Sequence, residues 1–433
     1  MSNLLIPLRG MLSSGLFKRT CVYTFSISFS ALAAFLLLPI LTRYLSLYDY
    51  GVVETFMSIV ACLTGVVMVG GNTLLSKEYF NYSHIKIRNY TGDILGMTLL
   101  CSTVVFIIAL IIAGFSGFFP EFIKISNFLM LLAIVVAFAN AIISMLTTLF
   151  QLQKKSISYA IFLNSKTIME IVVSLFLIIV VGLKWQGRIV GISAASLVFL
   201  VIAILIFRNH KVSFKFPTHH GRQIILLGLP LILVHASGWA NEMIDKLMIN
   251  NLINVASTGL YSVGYKFGMV VMMVETAFSR AWLPFFYETV SKNNKSDDLR
   301  IVRVTYMYIA GLIVFAIFFG LLGKYLLYFM VDKKFFAAGQ FIFLVSMAYC
   351  FDGIWKMFIG YLIYKGKTRT YLYIILISAI VNITLNYILL QRIGLIGAAW
   401  ATFISFGVGA VLTTIAGCRS HPMPWFSVAV FQL

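Results

Sequence analysis

Acidic residues are scarce in this chain. Only 14 of its 433 residues are Asp or Glu, and all charged residues together make up 11%. A soluble domain carries about 25%, and no stretch here is polar enough to fold as one. The five cysteines (Cys21, Cys62, Cys101, Cys350 and Cys418) are dispersed, with no C-x-x-C among them. That excludes a disulfide framework or a thiolate metal site and leaves them as small apolar residues. No H-E-x-x-H is present, and most of the six histidines fall between the apolar runs. No Arg/Lys run is interleaved with stacking aromatics outside those runs, so nucleic acid is excluded as a partner. "GYLIYKGKT" (Gly360–Thr368) nearly spells a phosphate-binding loop. Its Gly360 stands one residue too far from Gly366, no strand precedes it, and it reads as a basic turn. Without an ATPase module, transport would need an ion gradient or the substrate's own gradient.

What is present is apolar. Hydrophobic residues make up 61% of the chain and the mean hydropathy is +0.97, which defines a polytopic membrane protein. A spanning helix needs about 20 mostly apolar residues. Twelve such runs occur, near 20–41, 51–72, 91–115, 126–150, 158–182, 188–207, 224–250, 259–284, 302–322, 337–363, 370–390 and 395–416. "SALAAF" (Ser30–Phe35) has the look of a cleavage site. The apolar run continues through Leu41, as a spanning helix does and a signal peptide does not. The connections are short, and none can fold into a catalytic domain.

The net charge of +19 orients the chain. Twenty of the 33 Lys and Arg fall on one side of an alternating loop count, including Lys77, Lys154, Arg208, Arg303, Lys365 and Arg419; eight, including Arg43, Lys184 and Arg392, fall on the other. Cytoplasmic loops retain Lys and Arg, so both termini are expected in the cytoplasm. The chain also repeats itself. "GRIVGISAASLVF" (Gly187–Phe199) resembles "RIGLIGAAWATFIS" (Arg392–Ser405), and "RYLSLYDYG" ending at Gly51 pairs with "NLINVASTGLY" around Gly259. The nearly constant offset predicts two six-helix lobes in the same orientation: 1–208, a basic cytoplasmic linker 209–222, and 223–433. Parallel repeats place a central cleft at their interface. The expected fold is therefore an all-α integral membrane protein with twelve transmembrane helices in two lobes.

Charges inside the runs are the strongest functional signal, because each costs roughly 2.5–3.5 kcal/mol to insert. They are Lys166 and Glu170; Glu242, Asp245 and Lys246; Lys266; Glu275 and Arg280; Asp352 and Lys356. Lys166–Glu170 and Asp352–Lys356 are i,i+4 neighbours. A structural role as self-neutralising pairs weighs about evenly against a substrate or ion role. Helical periodicity puts Glu242 and Lys246 on one stripe with Asp245 at its edge. Lys266 on the following run lies at matching depth, so Glu242, Asp245, Lys246 and Lys266 are expected to form one cluster. Polar stripes without charge also occur, at Asn140, Ser144, Thr147 and Gln151, and at Ser378, Asn382 and Asn386. Small-residue ridges at Gly187/Gly191 and Gly394/Gly397 are expected to permit close helix packing.

Three segments carry a family resemblance: "LLLPILTRYLSLYDYG" (Leu36–Gly51), "NEMIDKLMINNLINVASTGLYSVGYK" (Asn241–Lys266) and "NITLNYILLQRIGLIGAAWATFIS" (Asn382–Ser405). They resemble the polysaccharide-exporter branch of the multidrug/oligosaccharidyl-lipid/polysaccharide (MOP) flippase superfamily, most of all an O-antigen flippase of the Wzx type. The resemblance implies a MATE-like pair of lobes in the bacterial inner membrane. It also implies a substrate of undecaprenyl-pyrophosphate-linked oligosaccharide, moved by alternating access, with no cofactor and a proton or sodium gradient as the driving force. Membrane lipids and other polysaccharide-assembly proteins are the implied partners. By position Arg43, Asp245, Lys246 and Lys266 match the motif regions, while Lys166, Glu170, Glu242, Asp352 and Lys356 complete the expected cavity lining. Three alternatives stay open. A drug/cation antiporter shares the architecture, a peptidoglycan-precursor flippase would carry about two further spans, and a polysaccharide polymerase would carry a large periplasmic loop.

Overall fold

A computed structural model of the chain describes residues 15–114, 126–212, 220–291 and 295–425. Among the described residues the regular structure is entirely helical. Lipid offers no partner for a backbone N–H or C=O, so a spanning segment must satisfy both internally, as a helix does.

Gly15–Leu36 (α1) and Leu38–Tyr44 (α2) come first, with Pro39 in the opening turn of α2, where its missing N–H costs nothing. Leu47–Met68 (α3), Gly71–Glu78 (α4), His84–Gly114 (α5) and Asn127–Leu152 (α6) follow. Ser156–Leu175 (α7) ends in a π-helical turn, Phe176–Val180. Lys184–Asn209 (α8) and Gly221–Leu252 (α9) lead to Val255–Gly268 (α10), Val270–Ser291 (α11) and Lys295–Met330 (α12). A 3-10 turn, Lys333–Ala338, opens the run of Gly339–Tyr364 (α13), Thr368–Ile393 (α14) and Ile396–Ser420 (α15).

Among the described residues ten helices are long and apolar enough to cross a bilayer, and α10 with α11 makes eleven when the bent pair is counted as one span. The protein is a multi-pass, all-α membrane protein. The first expected run corresponds to α1 and α2, within which Ser28–Tyr44 forms a shorter apolar helix. The expected single helix at 259–284 is corrected by the structure. It starts earlier, at Val255, and breaks at Met269 with a bend of 41°. Of the connection expected at 209–222, residues 213–219 lie outside the described residues, as do Arg9, Lys124, Lys215 and Lys292.

The chain divides into two compact units. The first comprises the chain up to Leu45 together with Phe56–Ala236; the second comprises Ser46–Thr55 and Ser237–Leu433. Two helices therefore change unit partway along, α3 after Thr55 and α9 after Ala236. Between helices in lipid there is little hydrophobic drive, so close packing and interhelical hydrogen bonds must hold each unit. The first unit packs Leu75, Tyr90, Ile94, Ile142, Leu146 and Phe207 from α4, α5, α6 and α8. The second packs Tyr261, Tyr265, Phe341, Val345, Tyr349 and Phe406 from α10, α13 and α15.

Glycine sets two of the closest approaches. A Cβ at Gly191 would sit 2.8 Å from the Ser174 backbone N, so α8 and α7 can touch only because it is absent. Gly397 does the same against the backbone of Leu389, where a Cβ would meet the carbonyl carbon at 2.5 Å. On α12, Val314, Phe318, Leu321 and Tyr325 are exposed at helical spacing, an apolar face for lipid.

Candidate functional site

Three helices of the second unit build a buried cluster of charge. The N-terminal part of α3 carries Tyr50 and Glu54, four residues apart and so on one face. Lys246 comes from α9 and Lys266 from the end of α10. Glu54 is buried and accepts from both ammonium groups: Lys246 Nζ donates to Oε2 at 3.0 Å and Lys266 Nζ to Oε1 at 2.5 Å. Lys266 also donates to the Tyr50 hydroxyl at 2.8 Å, and its Nζ stands 5.0 Å from the centre of that ring. Lys246 lies 5.5 Å from the Tyr265 ring centre. These are cation–π distances, which supplement a single shared carboxylate. One carboxylate between two ammonium groups leaves these three side chains together at +1. Lys266, with 27% of its side chain exposed, is the most accessible of the three.

The expected four-residue cluster is thus rearranged. Lys246 and Lys266 do meet, but through Glu54. Asp245 turns to a different neighbour, with Oδ2 accepting from the Tyr261 hydroxyl at 2.7 Å and Oδ1 from the Lys246 backbone N at 2.8 Å. Glu242 is exposed on α9 and makes no hydrogen bond or ion pair among the described residues. Arg43 lies in the last turn of α2, in the first unit, with its side chain exposed.

A second cluster in the same unit has the opposite excess. Lys356 on α13 donates to Glu275 Oε1 on α11 at 2.6 Å and reaches Asp352 Oδ2 at 2.7 Å. The Thr276 hydroxyl adds a bond to the same Glu275 oxygen at 2.9 Å. Glu275 is fully buried, and its Oε2 has no partner among the described residues. Two carboxylates share one ammonium, so this cluster carries −1 when all three are ionised. It has capacity for a proton or a small cation. Among the described residues no three His, Cys, Asp or Glu converge as a metal site.

The first unit holds a third cluster. Lys166 and Glu170 of α7 form the expected i,i+4 pair at 3.8 Å. A much closer partner is Arg188, whose Nη2 donates to Glu170 Oε1 at 2.8 Å while Nη1 donates to Ser174 Oγ at 2.9 Å. Elsewhere in this unit His220 Nδ1 stands 2.7 Å from Asp93 Oδ2, against the edge of Tyr90. The uncharged stripes supply some helix-to-helix bonds. Asn72 donates to Ser144 at 2.7 Å; Ser378 donates to the Ser405 carbonyl at 2.9 Å, and Asn382 to the Ser405 hydroxyl at 2.9 Å.

Sequence reasoning missed Glu54, Asp93 and the role of Arg188. Glu54 and Asp93 stood inside runs already counted as spans, so the cost of burying a charge could have found them. Arg188, the first residue of the expected run 188–207, counts among the eight loop cations of the less basic side. The helix in fact starts at Lys184 and carries it into the packed interior.

The family model described as polysaccharide biosynthesis protein matches residues 16–290, and the MatE model matches residues 230–388. The chain is 23% identical to the Lsg locus putative protein 1 of Haemophilus influenzae, over 82% of this chain and 86% of that one. Its fold is similar to the lipid II flippase MurJ in an inward closed conformation, with a TM-score of 0.67 and 16% identity, covering 92% of this chain and 87% of that one. It is also similar to a mutant of the Vibrio cholerae MATE transporter VcmN, with a TM-score of 0.58 and 12% identity over 96% and 98% of the two chains. At these identities the structural likeness concerns the fold alone.

Proposed function

We propose, from the premise that this chain belongs to the polysaccharide biosynthesis protein family of the MOP flippase superfamily, that it is a flippase for undecaprenyl-pyrophosphate-linked oligosaccharide. It carries repeat units of O-antigen or a related surface polysaccharide from the cytoplasmic to the periplasmic face of a bacterial inner membrane, by alternating access. The observation that carries this reading is the pair of lysines on one carboxylate. Lys246 and Lys266 are held in the membrane by Glu54, the three side chains together at +1. An ammonium group has three donors, so each lysine can exchange a carboxylate oxygen for a pyrophosphate oxygen without becoming unpaired. The match of the polysaccharide biosynthesis protein model over residues 16–290 supports a substrate from a polysaccharide pathway.

The acidic cluster supplies the coupling in this reading. A proton or sodium ion entering beside Glu275 Oε2 neutralises the extra carboxylate of the Glu275–Asp352–Lys356 group. Glu242 and Asp245 in the second unit, and Lys166, Glu170 and Arg43 in the first, are each assigned to contact with the substrate or the coupling ion. Both termini are cytoplasmic, as the basic residues indicate.

Deleting the gene in its host tests the reading. Surface polysaccharide should be lost while the lipid-linked repeat unit accumulates on the cytoplasmic face. Repeat units displayed unpolymerised on the periplasmic face would make the protein a polymerase instead. The MatE match over residues 230–388 favours a second reading, a drug/cation antiporter. Normal polysaccharide in the deletion strain, with loss of organic-cation efflux, would select it.

A further inference from the structure

A cavity of about 490 Å³ opens within the second unit between α12, α13 and α15, lined by none of the ion-cluster residues. Tyr306 and Arg419 stand at its rim with Trp425; Ile309, Ile354 and Ile415 form its floor. On α12 and α15 the floor residue lies three or four positions from the rim residue, about one helical turn or ~5.4 Å deeper. The rim is fixed, since the Tyr306 hydroxyl donates to the Trp425 carbonyl at 2.9 Å and the two rings meet edge to face. Ile415 is 45% exposed, so the slot communicates with the apolar outer face.

The rim carries a cation that no described residue neutralises. Arg419, in the last turn of α15, makes no ion pair or hydrogen bond among the described residues. The same end of the unit carries Arg300, Arg303, Lys365, Lys367 and Arg369, against the acidic Glu288, Asp297 and Asp298. The Trp425 indole Nε1 is buried without an acceptor among the described residues. An apolar slot one turn deep, with an exposed guanidinium at its mouth, asks for an amphiphile. Its tail must be hydrocarbon and its head anionic and rich in acceptor oxygens.

We infer that this slot binds an anionic phospholipid of the leaflet facing the Arg419 end, with one acyl chain over the three isoleucines and the phosphate on Arg419. Tryptophan and tyrosine at the boundary between apolar and polar zones suit that placement, and a basic patch there selects anionic headgroups. The inference stands apart from the transport reading, because it uses none of the residues assigned to it.

The test uses full-length protein, delipidated in detergent and titrated with phosphatidylglycerol or phosphatidylcholine of identical acyl chains. Bound lipid is counted by native mass spectrometry. Wild type should retain phosphatidylglycerol about fivefold better than phosphatidylcholine. Arg419→Gln should remove that preference and Arg419→Lys should keep most of it. Ile415→Trp, which fills the slot, should reduce retention of both lipids. Equal retention of the two lipids by wild type, or an unchanged preference in Arg419→Gln, overturns the inference. So does displacement of phosphatidylglycerol by an equimolar amount of undecaprenyl phosphate, which would assign the slot to the polyprenyl chain.

Discussion

Gly51 and Gly259 occupy matching places in the two halves of the chain, and they pack against each other. A Cβ built on Gly259 would lie 2.8 Å from the Gly51 backbone N and would strike the Leu47 carbonyl oxygen. A Cβ on Gly51 would strike the Val255 carbonyl oxygen in the same way. Leu47 and Val255 are offset by 208 positions, as are Gly51 and Gly259, so the two contacts are exchanged copies of one another. The start of α3 thereby meets the start of α10 backbone to backbone, which brings Glu54 within reach of Lys246 and Lys266.

Gly259→Ala should therefore destabilise the second unit by about 1–3 kcal/mol through overpacking. Gly238→Ala is the matched control, because nothing lies within 4 Å of its Cβ position. Thermal unfolding in detergent checks both. Equal melting temperatures for the two variants would contradict the close contact.

Glu54, Lys246 and Lys266 should behave as one energetic group. Glu54 and Lys246 are each under 10% exposed at the side chain and stand 3.0 Å apart. A double-mutant cycle of Glu54→Gln and Lys246→Gln is expected to give a coupling of about 1–3 kcal/mol. Surface polysaccharide should fall in each single variant. Strictly additive stabilities would mean that the pair does not form.

Arg188→Met should cost more than Lys166→Met. Arg188 donates to Glu170 and Ser174 at 2.8 and 2.9 Å, whereas Lys166 stands 3.8 Å from the same carboxylate. The expected losses are about 2–3 kcal/mol for the arginine and under about 1 kcal/mol for the lysine. Membrane abundance and melting temperature report the order, and the reverse order refutes it.

Lys356→Met leaves Glu275 and Asp352 facing each other with no cation, and should lower membrane abundance by an amount corresponding to about 3–5 kcal/mol. Adding Glu275→Gln and Asp352→Asn should recover most of it, since the repulsion is then removed. If the triple variant is no more abundant than Lys356→Met, charge imbalance is not the cause of the loss.

The orientation is open to a direct check with reporter fusions. Fusions after Tyr48, Trp185, Asn254, Lys333 and Arg392 should report the periplasm, in keeping with the basic asymmetry of the loops. Two or more reporting the cytoplasm would overturn the assignment of both termini.

By itself the sequence determined the class, the places of most of the spans and the family. Each depends on local quantities: the apolar length needed to cross lipid, and runs of residues such as Leu36–Gly51 and Asn382–Ser405. The i,i+4 pair Lys166–Glu170 was legible for the same reason, since helix geometry alone places those side chains together. Partners on different helices were not. The preference of Glu275 for Lys356, of Asp245 for Tyr261, and of Glu54 for two lysines on two other helices is absent from any local pattern. Helical periodicity says which way a side chain points along its own axis, but not which neighbour stands there. That neighbour is chosen by how the helices pack, and here it depends on contacts such as Gly51 on Val255, where two backbones approach because no side chain intervenes. Only the tertiary structure could decide that a carboxylate on α3 would hold both lysines. A charge in the membrane interior must be paired, and sequence states the need without naming the partner.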